Sequence, residues 1–178
     1  MLFGACARCH GVGGDGNADG SVPAISGQHG RVIARQLVDY RHARRWDPRM
    51  EHQAGQALAN AQAIADVAAH VASLPRGRGI GTGRGDMVER GRAIYAAQCA
   101  SCHGGAAEGD GAALVPRLAG QHYAYLIRQF HDAVEGRRPN FPSDHVRLLE
   151  PFQRDDLAGL ADWLARATVA APAGPAPR

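Results

Sequence analysis

The sequence predicts an all-α protein made of two tandem copies of one small unit. Apolar residues recur three and four apart, as on one face of a helix, and no stretch of any length alternates in the way of a half-buried strand. The chain also repeats itself at an offset of 93 residues. Cys6, Cys9 and His10 return as Cys99, Cys102 and His103, and Val22-Pro23 as Val115-Pro116. Gly27-Gln28-His29 returns as Gly120-Gln121-His122, Arg35-Gln36 as Arg128-Gln129, Asp39 as Asp132, and Arg44-Arg45 as Arg137-Arg138. The register runs without a gap, which implies two copies of one fold.

The elements follow in order. Val32, Ile33, Gln36, Leu37 and Tyr40 mark the inner face of a helix over 31–44. A second helix spans 60–74, with Asn60 as its N-cap and Pro75 closing it. The second copy has an opening helix over 86–98, with Met87, Arg90, Ile94 and Ala97 on one side, where the first copy offers only residues 1–5. Tyr125, Leu126, Gln129 and Phe130 predict a helix over 123–135 that Gly136 stops, and a last helix spans 153–167. The units are therefore 1–76, with a truncated opening helix, and 86–168. A glycine-rich basic linker, 77–85, joins them, and a Pro/Ala-rich tail, 169–178, is expected to be disordered.

Composition narrows the function. Units below about 80 residues rarely hold together on apolar burial alone and need a staple. The four cysteines all fall in the two repeated motifs, so none is left for a disulfide framework. Every basic side chain that carries a fixed charge is Arg; the absence of Lys excludes a lysine ligand or Schiff base. The formal charge of +3 and scattered arginines read as solvated surface, not as a nucleic-acid footprint. No run of 18 apolar residues is available to span a membrane, which leaves peripheral membrane association open. No signal peptide is present, and the short start of the first unit leads us to expect a longer precursor.

The repeated motifs read CARCH and CASCH. Cys-x-x-Cys-His is the attachment site of c-type haem. Each thiol forms a thioether with one vinyl group, and the adjacent His supplies the proximal ligand to iron. A redox dithiol, or a zinc ribbon built from both cysteine pairs, would need neither the paired histidines nor a duplication that extends so far beyond them. Two covalently bound haems c are thus expected. Haem is attached outside the cytoplasm, which points to the periplasm. The propionates add negative charge that offsets the formal +3.

The motif with the Pro, the Gly-Gln-His segment and the helix that follows, all present twice, resembles the dihaem cytochromes c of the c-four class over residues 6–167. The resemblance implies two tandem class I cytochrome c domains with their haems close together. It also implies that the carbonyls of Pro23 and Pro116 accept the Nδ1 protons of His10 and His103. Gln28 and Gln121, with His29 and His122, would lie near the haem-bearing interface, unless they serve only to start their helices.

Members of that class usually place a Met on the distal side of each haem. Here the only methionines are Met1, Met50 and Met87, and none follows Cys102. His145, twelve residues before Leu157, stands where the Met of the class is expected; His131 is the weaker candidate. At the first haem two candidates compete. Met50 follows Arg-Arg and Asp-Pro as the arm of the class does, while His52 is the 93-offset partner of His145. The upstream match tips the reading to Met50. His42 and His70 fall on helices and read as packed or solvated. Two saturated irons would make an electron-transfer protein, not an enzyme, working between a donor and a terminal oxidase or reductase. A dedicated electron-transfer subunit of a periplasmic dehydrogenase or reductase is the alternative, and an open-iron enzyme or gas sensor a third.

Overall fold

The computed structural model describes residues 2–77 and 79–169. In chain order its helices are α1 (Gly4–His10), α2 (Gly30–Arg41), α3 (Pro48–Gln56), α4 (Ala61–Ser73), α5 (Val88–Gln98), α6 (Ala100–His103), α7 (Tyr123–Val134), α8 (Ser143–Leu149) and α9 (Arg154–Arg166). The only β pairing among the described residues is an isolated bridge between Asp110 and Val115. α2 and α7 start and stop 93 residues apart, as do α4 and α9, so the repeat in sequence is a repeat in structure.

Local chemistry sets the ends. Asn60 caps α4 by accepting from the Ala63 N–H at 3.0 Å, and Gln153 and Asp156 close a capping box at α9. Asp47 caps α3, with Pro48 in the first turn. The offset partner of Asp47 is Asn140, whose amide donates instead to Asp39 at 2.9 Å and Gln36 at 3.3 Å. α8 therefore starts later, at Ser143.

Each half has its own core. Phe3, Leu37, Leu58, Ile64, Val67 and Val71 form one cluster. Tyr95, Leu126, Phe130, Leu157, Leu160 and Leu164 anchor the other. In the second half α5 crosses α9 so closely that a Cβ on Gly91 would lie 1.9 Å from the Gly159 carbonyl oxygen. Val169, at the start of the expected tail, packs against the second core; residues 170–178 lie outside the described residues.

The glycine-rich linker is held by hydrogen bonds from Gly77, Gly81, Gly83 and Gly85. Gly83 and Gly85 N–H groups donate to the Asp162 carboxylate at 2.9 and 2.7 Å. Arg76 donates to the carbonyls of Ser26, at 3.1 Å, and Ala119, so one guanidinium bridges the halves.

Candidate haem sites

The two CxxCH motifs occupy equivalent places. His10 and His103 are buried, and each Nδ1 donates to a proline carbonyl, Pro23 or Pro116, at 3.0 Å. That bond fixes the tautomer and leaves Nε2 with its lone pair. Burial lowers the pKa of both imidazoles, against the raising effect of the carbonyl bond, so both are neutral bases at neutral pH. Cys6 and Cys99 are half-buried, Cys9 and Cys102 exposed. Burial also pushes up the Cys6 thiol and lifts that of Cys99 to about 11. Among the described residues no three His, Cys, Asp or Glu side chains converge on a metal position.

In the second half, Tyr95, Cys99, Cys102, His103, His145, Leu148 and Leu160 line an apolar cleft of about 70 Å³. The rings of His103 and His145 both line it, centroids 6.1 Å apart and planes 84° apart. A first-row metal held about 2.0 Å from one nitrogen of each ring would set the centroids about 6 Å apart. The cleft and its two imidazoles therefore fit a haem iron ligated on both faces. His131, by contrast, is half-exposed beside Glu135.

In the first half, Met50 packs against the apolar cluster together with Cys6, Ile25 and Leu74. His52 is exposed on the far side of the same helix. Met50 and His145 are each the third residue of their helix, α3 and α8. Met87 stands just ahead of α5, its carbonyl oxygen 2.5 Å from where a Cβ on Gly159 would sit. His42 is exposed, and His70 is exposed with its ring against Phe3, centroids 4.7 Å apart.

Gln28 and Gln121 stand between the halves in a reciprocal arrangement. Gln28 Nε2 donates to the Arg117 carbonyl at 2.9 Å and its Oε1 accepts from the Arg117 N–H at 2.9 Å. Gln121 does the same to Ala24, at 2.8 and 3.0 Å. His29 Nε2 donates to the Glu108 carbonyl at 2.8 Å, and His122 Nε2 to that of Asp15 at 2.7 Å. Each glutamine also accepts from the N–H of the histidine after it, at the start of α2 or α7. The segment thus starts a helix and joins the halves at once.

One expectation is corrected here. The arginines are not all solvated surface: Arg45 is only 7% exposed and its guanidinium lies between the halves. It donates to Gln36 and Tyr125 Oη, both at 2.6 Å, and to Gln129 at 2.9 Å, and lies over the Tyr40 ring. Its repeat partner Arg138 donates to Gln129 and Asn140 and lies over the Phe141 ring. None of these partners is a carboxylate. Burial, and Arg45 beside it, push the Arg138 pKa down to about 9. Two enclosed cations without a carboxylate partner call for an anionic group, and haem propionates fit that need. The only sequence signal was the return of Arg-Arg at the repeat offset, which composition alone could not separate from surface charge.

The Cytochrome c family pattern matches residues 1–75 and 88–168. The chain belongs to the cytochrome c family. It is 32% identical over 171 residues to the "Thiosulfate dehydrogenase electron acceptor" of Stutzerimonas stutzeri (strain A1501), covering 90% of this chain and 78% of that relative. It is 29% identical over 178 residues to cytochrome c4 of Azotobacter vinelandii, covering 89% of this chain and 82% of the relative. The crystal structure of reduced recombinant cytochrome c4 from Pseudomonas stutzeri superposes with a TM-score of 0.79 at 24% identity, over 93% of this chain and 95% of that one. The fold is that of two tandem class I cytochrome c domains, and the chain is a dihaem cytochrome of the c4 class. It binds two haems c covalently and transfers electrons. No helix among the described residues is long and apolar enough to cross a membrane.

Proposed function

We propose that this cytochrome is a periplasmic electron carrier with unlike distal ligands at its two irons. Cys6 and Cys9 attach the first haem, with His10 and Met50 as axial ligands. Cys99 and Cys102 attach the second, with His103 and His145. The observation that carries the proposal is the pairing of His103 and His145 in the apolar cleft. Haem supplies the one-electron chemistry. The protein's part is to hold neutral imidazoles by the proline carbonyls, to exclude water with leucine-rich walls, and to saturate both irons so that no substrate reaches them.

Unlike ligands give the relay a direction. Thioether sulfur favours ferrous iron and raises the potential, whereas a second imidazole lowers it. Electrons therefore run downhill from the second haem to the first. The acceptor is a terminal oxidase or reductase, and the protein itself is not an enzyme. For the donor, the relative named as a thiosulfate dehydrogenase electron acceptor favours a dedicated periplasmic dehydrogenase of sulfur oxidation.

The test is the weak far-red sulfur-to-iron absorption band of the oxidised protein, quantified per haem. Intensity worth one haem supports Met50 at one iron and His145 at the other. No band would place His52 at the first iron or leave it open. Carbon monoxide added to the reduced protein separates those outcomes, because only an open iron binds it.

A further inference from the structure

We infer that Phe141 is a positioning residue that holds the distal imidazole of the second haem crosswise to the proximal one. This rests on the assignment of His103 and His145 to the second iron. The planes of these two rings stand 84° apart. Different forces hold each ring. The proximal ring is fixed by its Nδ1 bond to Pro116. The distal ring has no such tether: His145 Nδ1 is buried and meets no hydrogen-bond partner among the described residues. What orients it is packing. The Phe141 ring meets it edge-on, at 4.7 Å between centroids and 90° between planes. The Arg138 guanidinium lies over the Phe141 ring at 4.4 Å, and Gln129 and Asn140 hold that guanidinium in turn. The first half has no equivalent, since Pro48 stands at the position of Phe141 and Arg45 stacks on Tyr40.

The consequence is electronic. Each axial imidazole donates π density into the iron d orbital perpendicular to its own plane. Parallel rings act on one orbital and split the pair; crossed rings act on both and leave them nearly equal in energy. A low-spin ferric iron between crossed rings then has strongly anisotropic magnetism.

The experiment is electron paramagnetic resonance of the oxidised holoprotein, with the first haem's signal as internal standard. The expected spectrum contains one strongly anisotropic low-spin signal from the second haem. Phe141→Met keeps the bulk and removes the ring; it should convert that signal to the ordinary rhombic one at unchanged haem content. Phe141→Tyr should retain the anisotropic signal. A rhombic low-spin signal from the wild-type second haem, or a Phe141→Met spectrum identical to wild type, overturns the inference and leaves the ligands as assigned. A second haem that is high-spin or binds carbon monoxide overturns the ligand assignment and this inference with it.

Discussion

The arms that carry Met50 and His145 differ at the residue that sets where each helix starts, Asp47 in one and Asn140 in the other. Asp47 spends its carboxylate on capping α3, and Met50 becomes the third helical residue, turned into the apolar cluster. Asn140 spends its side chain on Asp39 and Gln36, α8 begins at Ser143, and His145 becomes the third residue. A repeat that keeps a perfect register in sequence can thus present non-equivalent residues at equivalent places. What decides is where each helix starts, and a cap decides that.

The sharpest way to break the comparison is to make the arms alike. His145→Met should raise the second haem's potential by on the order of 100 mV, a fraction of the ~0.8 V that axial ligands command, and redox titration reads it. Met50→Ala should make the first haem bind carbon monoxide while the second stays inert. Next in size is the α5–α9 crossing. Gly91→Val should cost about 3 kcal/mol by overpacking, seen in thermal unfolding of the holoprotein. Asp66, which stands on α4 where Gly159 stands on α9, is exposed, and Asp66→Ala should shift stability by less than about 0.5 kcal/mol.

Asp39 gives a comparable effect that depends on pH. Burial works against its charge, but Asn140, Arg44 and Arg35 outweigh it and hold its pKa below 3.8. A depressed folded pKa gives stability that is fully present above the unfolded value and lost as pH falls through the folded one. Asp39→Ala should therefore cost about 2 kcal/mol at neutral pH, for the loss of charge-assisted hydrogen bonds to half-exposed arginines, and much less in acid unfolding below that pKa. A smaller loss than that of Gly91→Val tests the interface. Gln28→Ala and Gln121→Ala should each cost about 1–2 kcal/mol, and nearly the same as each other, because each removes the same three bonds to backbone, two of them across the interface.

Much of this was legible in the sequence. Two helices of the repeat end within a residue or two of where Asn60, Pro75 and Gly136 place them, because caps and breakers act locally. The helix expected over 31–44 stops sooner, at Arg41, because the N–H groups of Arg44 and Arg45 turn back to the Asp39 carbonyl. The proline carbonyls lie at hydrogen-bond distance from the motif histidines, thirteen residues back in each half. The burial of Arg45 was not legible, since it depends on Tyr125 and Gln129 from the other copy. Nor was the Gly91–Gly159 crossing, which needs two helices brought together from 68 residues apart. That Met50 packs inward while His52 is exposed follows from helix phase, since two residues of phase turn a side chain from core to solvent.

The reciprocal contacts of Gln28 and Gln121, and of His29 and His122, have the signature of a two-fold homodimer, in which residue i meets j and j meets i. Tying the copies in one chain makes their meeting intramolecular, at an effective concentration on the order of millimolar. Pairing then no longer varies with how much protein is made. A true homodimer must also carry every substitution twice. In a tethered pair one copy can change alone, so the shared interface stays symmetric while the arms that carry Met50 and His145 differ.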